Sequence, residues 1–175
     1  EKKWIIKKYR KCNNRFIAIS KDTQSYFTKC LPDDLHRITL MHNAIDLKRF
    51  TRNIPIDNLH KNNDVIKLVS IGSLVDKKNQ IFLVDVVKIL SDKGLNIHLD
   101  ILGEGTNREK IQSGINEKGL QEKITLQGNV NNVEDFLHKA HIYVHSATYE
   151  PFGLVLLEAM AAGLPCVALD GRGNR

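Results

Sequence analysis

The chain has 175 residues, of which 42% are hydrophobic, and its 26 Lys and Arg outnumber its 20 Asp and Glu, giving a formal charge of +6. This length suits one globular domain with part of a second, and no apolar run reaches the ~20 residues that cross a bilayer. Three widely spaced cysteines are typical of reduced thiols and argue against a disulfide framework, so we expect a cytoplasmic protein.

The opening segment, Glu1–Lys11, holds much of the positive charge. It contains six of the basic residues and one acid, so the remainder is close to neutral and no nucleic-acid partner is expected. Trp4, Ile5, Ile6 and Tyr9 interleave with lysines at roughly helical spacing, which predicts an amphipathic helix. Two interpretations stay open: a solvated helix packed on a parent domain, or a basic helix in peripheral contact with the inner face of the membrane.

The first part of the chain predicts two short strands around one helix. The strands are "RFIAIS" and "RITLMH", and the helix "KDTQSYFTKCL" between them would be capped by Ser20 or Asp22. The polar stretch 51–63 is typical of a linker. We therefore divide the chain into residues 1–50, the linker 51–63, and a second domain, 64–175.

From residue 64 onward, predicted strands and helices alternate with short connections. The strands are "DVIKLVSIG", "NIHLDILG", "KITLQG", "HIYVHSA" and "LPCVALDG", and the helices are "KKNQIFLVDVVKILSDKG", "TNREKIQSGINEKG", "NVEDFLHKA" and "FGLVLLEAMAAG". This alternation predicts an α/β, Rossmann-like fold, a parallel sheet with helices on both faces. Ligands of such sheets bind beyond the carboxyl ends of the strands, so we expect the functional residues in loops 72–79, 103–106, 128–132 and 147–153.

Two of these loops bear on phosphate binding. The loop "GSLVDKKNQ" places a glycine at a strand end and two lysines at a helix start, which suits a phosphate but is also common on ordinary surfaces. The loop "GEGTNR" has Gly103 and Gly105, but Arg108 stands where a dinucleotide fingerprint needs its third glycine. No P-loop pattern is present. Classical NAD binding and P-loop chemistry are therefore not favoured.

Three histidines, His138, His141 and His145, lie close together in the sequence. His141 and His145 would share one face of a strand, but no nearby acid or cysteine completes a metal-binding set. We interpret all three as ordinary core or loop histidines and expect no metal. Cys166, in a predicted strand, is interpreted as a small core residue.

The segment "EPFGLVLLEAMAAGLP" keeps two carboxylates in apolar surroundings. If its helix begins near Gly153, Glu150 lies just outside the N-terminus and Glu158 lies roughly 8 Å along the axis. The free N–H groups of Phe152, Gly153 and Leu154 would attract an anion, and each carboxylate would accept hydrogen bonds from hydroxyl groups. A diphosphate with a sugar at each end, a nucleotide sugar, fits this arrangement. The alternative is that a lysine from a neighbouring element satisfies a buried Glu158.

Several motifs, in order, resemble those of one family. The run "EPFGLVLLEAMAAGLPCVA" closely resembles the E-x7-E signature of the retaining family 4 glycosyltransferases (glycosyl transferases group 1). The segments "HNAIDLKRF", "IGSLVDKKNQ", "LGEG" and "LQGNV" resemble its N-G-V-D…F junction, its G-R-L…K-N loop, its G-E-G turn and its L-x-G-x-V strand end. The match runs from about Ile17 to the last residue.

The resemblance implies the carboxyl-terminal, donor-binding lobe of the glycosyltransferase B fold, with residues 1–50 as the end of the acceptor lobe. It implies that Glu150 holds hydroxyls of the transferred sugar, that Glu158 holds the ribose, and that Lys78 neutralises the departing diphosphate. The family works without metal or cofactor. The donor-binding positions it implies are Gly72, Ser73, Lys78, Gly103, Val130, Glu150, Phe152, Gly153, Leu154, Val155 and Glu158.

The chain departs from the family pattern in one loop. Ser73 stands where the family usually has arginine, so one phosphate-binding charge is missing; Lys77, Lys78 or Arg172 are candidates to replace it, and the choice of Lys78 rests on its neighbour Asn79. We also expect a piece of a longer protein, since the chain starts without Met and stops in a Gly-rich loop. Most of the acceptor lobe would then be missing.

The sequence thus predicts the donor-binding part of a hexosyltransferase-type enzyme. The full-length protein would transfer a sugar, with retention, from a nucleoside diphosphate sugar to a saccharide or lipid-linked acceptor in cell-surface polysaccharide or lipopolysaccharide biosynthesis. These 175 residues alone would be inactive, because the catalytic cleft needs both lobes. The alternatives are a non-catalytic nucleotide-sugar-binding module, an epimerase or phosphorylase of the same fold, or a membrane anchor that uses the opening helix.

Overall fold

The computed structural model describes residues 14–52 and 65–174. The predicted amphipathic helix in Glu1–Lys11 and most of the predicted linker, 53–63, lie outside these ranges. Within them, no helix is long and apolar enough to cross a membrane.

The first described range forms a two-stranded parallel sheet. Strand β1 (Phe16–Ala18) pairs with β2 (Ile38–Leu40), and helix α1 (Lys21–Cys30) connects them. Ser20, rather than Asp22, caps the helix, because its hydroxyl accepts from the backbone N–H of Thr23 at 3.2 Å. A 3₁₀ helix, which the sequence pattern did not predict, follows α1.

The second range forms a five-stranded parallel sheet in the order β5–β4–β3–β6–β7. The strands are β3 (Ile66–Ile71), β4 (Ile97–Leu102), β5 (Ile124–Gly128), β6 (Ile142–His145) and β7 (Cys166–Ala168). Helix α2 (Leu47–Phe50) precedes this sheet, and the helices between its strands are α3 (Gln80–Asp92), α4 (Arg108–Glu117), α5 (Val133–Lys139) and α6 (Leu154–Ala161). The predicted alternation and the parallel sheet are both confirmed.

The strand order explains where a ligand site forms. The chain starts the sheet at β3, adds β4 and β5 on one side, and then returns to add β6 and β7 on the other. The loops after the adjacent strands β3 and β6 therefore leave the sheet in opposite directions and open a crevice between them. This place, where the strand order reverses, is the switch point of the sheet.

Two apolar cores cover the two faces of the sheet. Helices α3 and α4 pack on one face through residues such as Val84 and Ile111. Helices α5 and α6 pack on the other through Leu137 and Leu156. The predicted layered architecture is observed: the central strands β3, β4 and β6 are the most buried, whereas the edge strand β7 is largely exposed.

Helix α2 belongs to the second core, although its residues precede the predicted linker. Phe50 is buried with Leu156 and Tyr143, and Arg52 donates to the carbonyl oxygens of Leu137 and Ala140 at 2.7 and 3.2 Å. These contacts hold α2 and the first residues of the predicted linker against α5 and α6.

Candidate active site

The loops after β3 and β6 are held together by hydrogen bonds to two backbone carbonyl oxygens. The hydroxyl of Ser146 donates to the carbonyl oxygen of Lys78 at 2.8 Å, and the N–H of Thr148 donates to that of Lys77 at 2.9 Å. These hydrogen bonds fix the short 3₁₀ turn Asp76–Lys78 against the loop that precedes α6.

An ion pair crosses this junction. The Nζ of Lys78 donates to Oε2 of Glu150, and both side chains are largely buried. The backbone N–H of Glu150 donates to the carbonyl oxygen of Gly171 at 2.8 Å, which fixes the residue from its other side. The sequence left Lys77 and Lys78 as candidates for the phosphate-binding lysine, and Lys78 is the one whose side chain contacts Glu150.

His145 is a second partner of Glu150, and the sequence interpretation missed it. The histidine is 3% exposed, and its Nε2 lies 3.3 Å from Oε2 of Glu150. Its Nδ1 lies 3.1 Å from the hydroxyl of Tyr143. Strand alternation places Tyr143 and His145 on one face, because residues two apart share a face, but it does not place the loop of Glu150 beside them.

The two partners keep Glu150 ionised. Its pKa falls from an ordinary 4.5 to about 2, mainly because His145 hydrogen-bonds to the carboxylate, with Lys78 adding a hydrogen bond and its charge; burial opposes both. At neutral pH, Glu150 is therefore a carboxylate that accepts hydrogen bonds.

His138 and His141, the other two histidines of the group singled out in the sequence, have structural roles. Nδ1 of His141 accepts from the N–H of Lys67 at 2.9 Å, and Nε2 of His138 lies 2.9 Å from the carbonyl oxygen of Phe50. Among the described residues, no group of three His, Cys, Asp or Glu side chains is arranged to hold a metal ion.

Helix α6 starts beside the ion pair. Gly153 has φ +88°, and a Cβ there would lie 3.0 Å from Leu156 Cδ1 and 3.4 Å from Glu150 Cγ, so a side chain would be strained and crowded. The first N–H groups of a helix have no intrahelical acceptor, and they carry the positive end of its dipole. A cavity of about 250 Å³ lies here. The predicted residues that line it are Lys78, Glu150, Phe152, Gly153, Leu154 and Val155.

A second cavity, of about 200 Å³, lies between the loops after β3, β4 and β5. The predicted residues that line it are Gly72, Ser73, Gly103 and Val130. Gly103 has φ +128°, and a Cβ there would lie 2.2 Å from the carbonyl oxygen of Gly72, so only glycine lets these loops approach. The amide of the buried Gln80 donates to the carbonyl oxygens of Ser73 and Gly72 at 3.0 and 3.3 Å and fixes the first loop.

Glu158 lies apart from the Lys78–Glu150 pair. It follows Leu154 by one helical turn on the same face of α6, but it is not among the described residues that line either cavity. Burial raises its pKa, Glu134 adds to the rise, and Arg49 opposes it. Within residues 14–52 and 65–174, no lysine pairs with Glu158, so the lysine-satisfied alternative is not observed.

Arg172 lines a different and larger cavity. This cavity, of about 860 Å³, lies between the start of α1 and the start of α6. Phe152 and Gly153 line both it and the 250 Å³ cavity, whereas Arg172 lines only the larger of the two. The ring of His42 stacks on Phe152 with centroids 5.7 Å apart.

A parallel sheet with a charged crevice at its switch point defines a Rossmann-like α/β class of domain. The family model described as "Glycosyl transferases group 1" matches residues 52–175, and the chain belongs to this family. The resemblance noted in the sequence is thereby confirmed.

Known proteins agree with this assignment. The chain is 31% identical over 128 residues to an uncharacterized glycosyltransferase of Methanocaldococcus jannaschii, a match covering 72% of this chain and 32% of that protein. It is 25% identical over 182 residues to the UDP-Gal:alpha-D-GlcNAc-diphosphoundecaprenol alpha-1,3-galactosyltransferase of Escherichia coli, covering 98% and 46%. The chain therefore spans less than half the length of either relative.

A solved structure supports the fold. The S. aureus protein TarM, crystallised with Fondaparinux, alpha-GlcNAc-glycerol and UDP, superimposes with a TM-score of 0.80 at 24% identity. The match covers 98% of this chain and 32% of TarM.

Proposed function

We propose that these residues form most of the donor-binding lobe of a retaining hexosyltransferase. The full-length enzyme would transfer a sugar from a nucleoside diphosphate sugar to a saccharide or lipid-linked acceptor. The observation that carries the proposal is the Lys78–Glu150 pair, which lies at the N-terminus of α6 in the switch-point crevice.

The pair supplies a cation for the diphosphate of the donor and a hydrogen-bond acceptor for the hydroxyls of its sugar. In the structure, Lys78 and Glu150 pair with each other. A diphosphate entering the 250 Å³ cavity would take over Lys78 and meet the free N–H groups of α6. Glu150 would then accept hydrogen bonds from hydroxyls of the transferred sugar, because its low pKa keeps it ionised.

This arrangement favours the transition state for loss of the diphosphate. Negative charge grows on the leaving group as its bond to the sugar breaks, and a fixed cation and helix N-terminus stabilise that charge without reorganising. Lys78 is the one basic residue among the described residues that line this cavity. We infer that Lys78 and the helix together hold the diphosphate without the arginine that the family usually has at the position of Ser73.

The second cavity suits the base. Gly72, Gly103 and Val130 line it, together with Glu104, whose carboxylate pairs with Arg108 at 2.7 Å. Glu158 is proposed to reach the ribose from the next turn of α6, on the face that Leu154 shares.

The names of relatives indicate the type of acceptor. The E. coli relative is named for UDP-Gal and a diphosphoundecaprenol-linked acceptor. We propose a comparable role in cell-surface polysaccharide or lipopolysaccharide synthesis, without metal or cofactor, at the cytoplasmic face of the membrane. Salt-dependent binding to anionic vesicles, lost when Lys2, Lys3, Lys7 and Lys8 are neutralised, would test the membrane contact.

Titration of UDP and GDP into the full-length protein tests the donor site. We expect Lys78→Met to weaken nucleotide binding about 10- to 100-fold, the loss of one charge-assisted hydrogen bond of ~1.5–3 kcal/mol. Lys77→Met is the matched control and should leave binding within about twofold. Equal effects of the two substitutions would contradict the proposal. Binding of donor sugars without any transfer would instead support the non-catalytic module.

A further inference from the structure

His145 is a buried polar side chain to which the proposed mechanism gives no role. It ends strand β6 and is 3% exposed, and its Nε2, which lies 3.3 Å from Oε2 of Glu150, makes no well-aligned hydrogen bond to any described residue. A buried nitrogen directed at one acceptor in a ligand cavity suggests a function beyond packing.

The protons in this cluster can be assigned from its contacts. Glu150 is ionised, so a lone pair on Nε2 would repel the carboxylate oxygen 3.3 Å away, and Nε2 must carry hydrogen. Burial raises the pKa of Tyr143, so its hydroxyl keeps its proton. This hydroxyl can donate to the carbonyl oxygen of Ile71 at 3.4 Å or to Nδ1 of His145 at 3.1 Å; we infer that it donates across the shorter contact, which makes Nδ1 an acceptor. The ring then presents Nε2–H to Glu150.

Glu150 needs a second donor when the diphosphate binds. An entering diphosphate competes with the carboxylate for the single charge of Lys78 and weakens that contact, whereas His145 is buried and does not line the cavity. The groups that act on Glu150 are therefore Lys78 from the loop after β3 and His145, itself held by Tyr143, from β6.

We propose that His145 is a positioning residue: its Nε2–H, oriented by Tyr143, holds the Glu150 carboxylate at the start of α6 after Lys78 turns to the donor. The consequence of this positioning for sugar transfer rests on the proposed function. The contact between His145 and Glu150 is present in the structure and can be tested without any donor.

Two substitutions separate positioning from packing. The amide nitrogen of glutamine reaches about as far as Nε2 of histidine, whereas that of asparagine reaches only about as far as Nδ1. His145→Gln should therefore keep the donor to Glu150, and His145→Asn should lose it. The two variants share the same chemical group, so a difference between them reports on reach rather than on polarity.

Nuclear magnetic resonance of the full chain, labelled at histidine nitrogens and glutamate carboxyl carbons, measures the result. We expect the Nε2–H tautomer for His145, and a titration midpoint of Glu150 at least about 1 pH unit higher in His145→Asn than in wild type or His145→Gln. Saturation with UDP should widen this difference, because Lys78 then leaves the carboxylate. Tyr143→Phe, which removes the group that orients the ring, should raise the Glu150 midpoint toward that of His145→Asn.

Two outcomes would overturn the inference: a wild-type His145 in the Nδ1–H tautomer, or equal Glu150 midpoints in the two variants. The wild-type tautomer needs no variant to fold, so the first outcome stands by itself. A wild-type chain that binds neither UDP nor GDP would contradict the proposed donor site, while the titration without nucleotide would still decide the role of His145.

Discussion

Glu150 and Glu158 belong to one short segment but occupy opposite electrostatic environments. Glu150 meets Lys78 and His145, and its pKa falls to about 2. Glu158 is partly buried beside an Arg49 that already pairs with Glu134 at 2.9 Å, and its pKa is raised. Spacing along a helix therefore places two acids, but partners from other elements decide their charge.

The two acids also give stability opposite dependences on pH. The pKa of Glu150 is lowered in the folded state, so its contribution is present above about pH 4.5 and is lost as pH falls toward 2. The pKa of Glu158 is raised, so it favours folding when protonated, and that contribution is lost as pH rises through its raised value.

The largest expected effect is on catalysis at Glu150. Glu150→Gln keeps the size of the side chain but weakens the acceptor for sugar hydroxyls, and we expect kcat of the full-length enzyme to fall about 100-fold or more. The measurement is the rate of transfer from the donor that the wild type uses. Glu109→Gln, at an exposed acid on α4, is the control and should leave kcat unchanged. A loss confined to KM would show that Glu150 contributes only uniform binding.

The next effect is on stability, and it should depend on pH. At pH 7, Glu150→Gln leaves Lys78 without its anion and should lower the free energy of unfolding by about 1–3 kcal/mol. The difference from wild type should shrink as pH falls from 4.5 toward 2, where the carboxylate itself becomes protonated. Urea denaturation at pH 7, 4 and 2.5 measures it. A difference that stays constant with pH would mean that packing, not ionisation, is lost.

Much of this architecture could be predicted from sequence, for local reasons. Alternating apolar runs and glycines define the strands and helices, and the Ser20 cap needs only residues three apart. The relation of Glu150 to His145 could not be predicted, since it depends on how the loop after β6 folds back on the strand end. The surroundings of Glu158 were equally hidden, because Arg49 reaches it from helix α2, before the predicted linker.

The smallest effect should come from removing the charge of Glu158. Because burial raises its pKa, ionised Glu158 costs stability at pH 7, and Glu158→Gln should raise the Tm of the ligand-free chain by roughly 1–2 °C, equivalent to about 0.5 kcal/mol. The gain should vanish below about pH 4, where the wild-type side chain is neutral as well. Glu122→Gln, at an exposed loop acid, is the stability control. If Glu158→Gln instead lowered Tm at pH 7, Arg49 would have to be a true partner of Glu158. The contrast with Glu150 would then be one of degree.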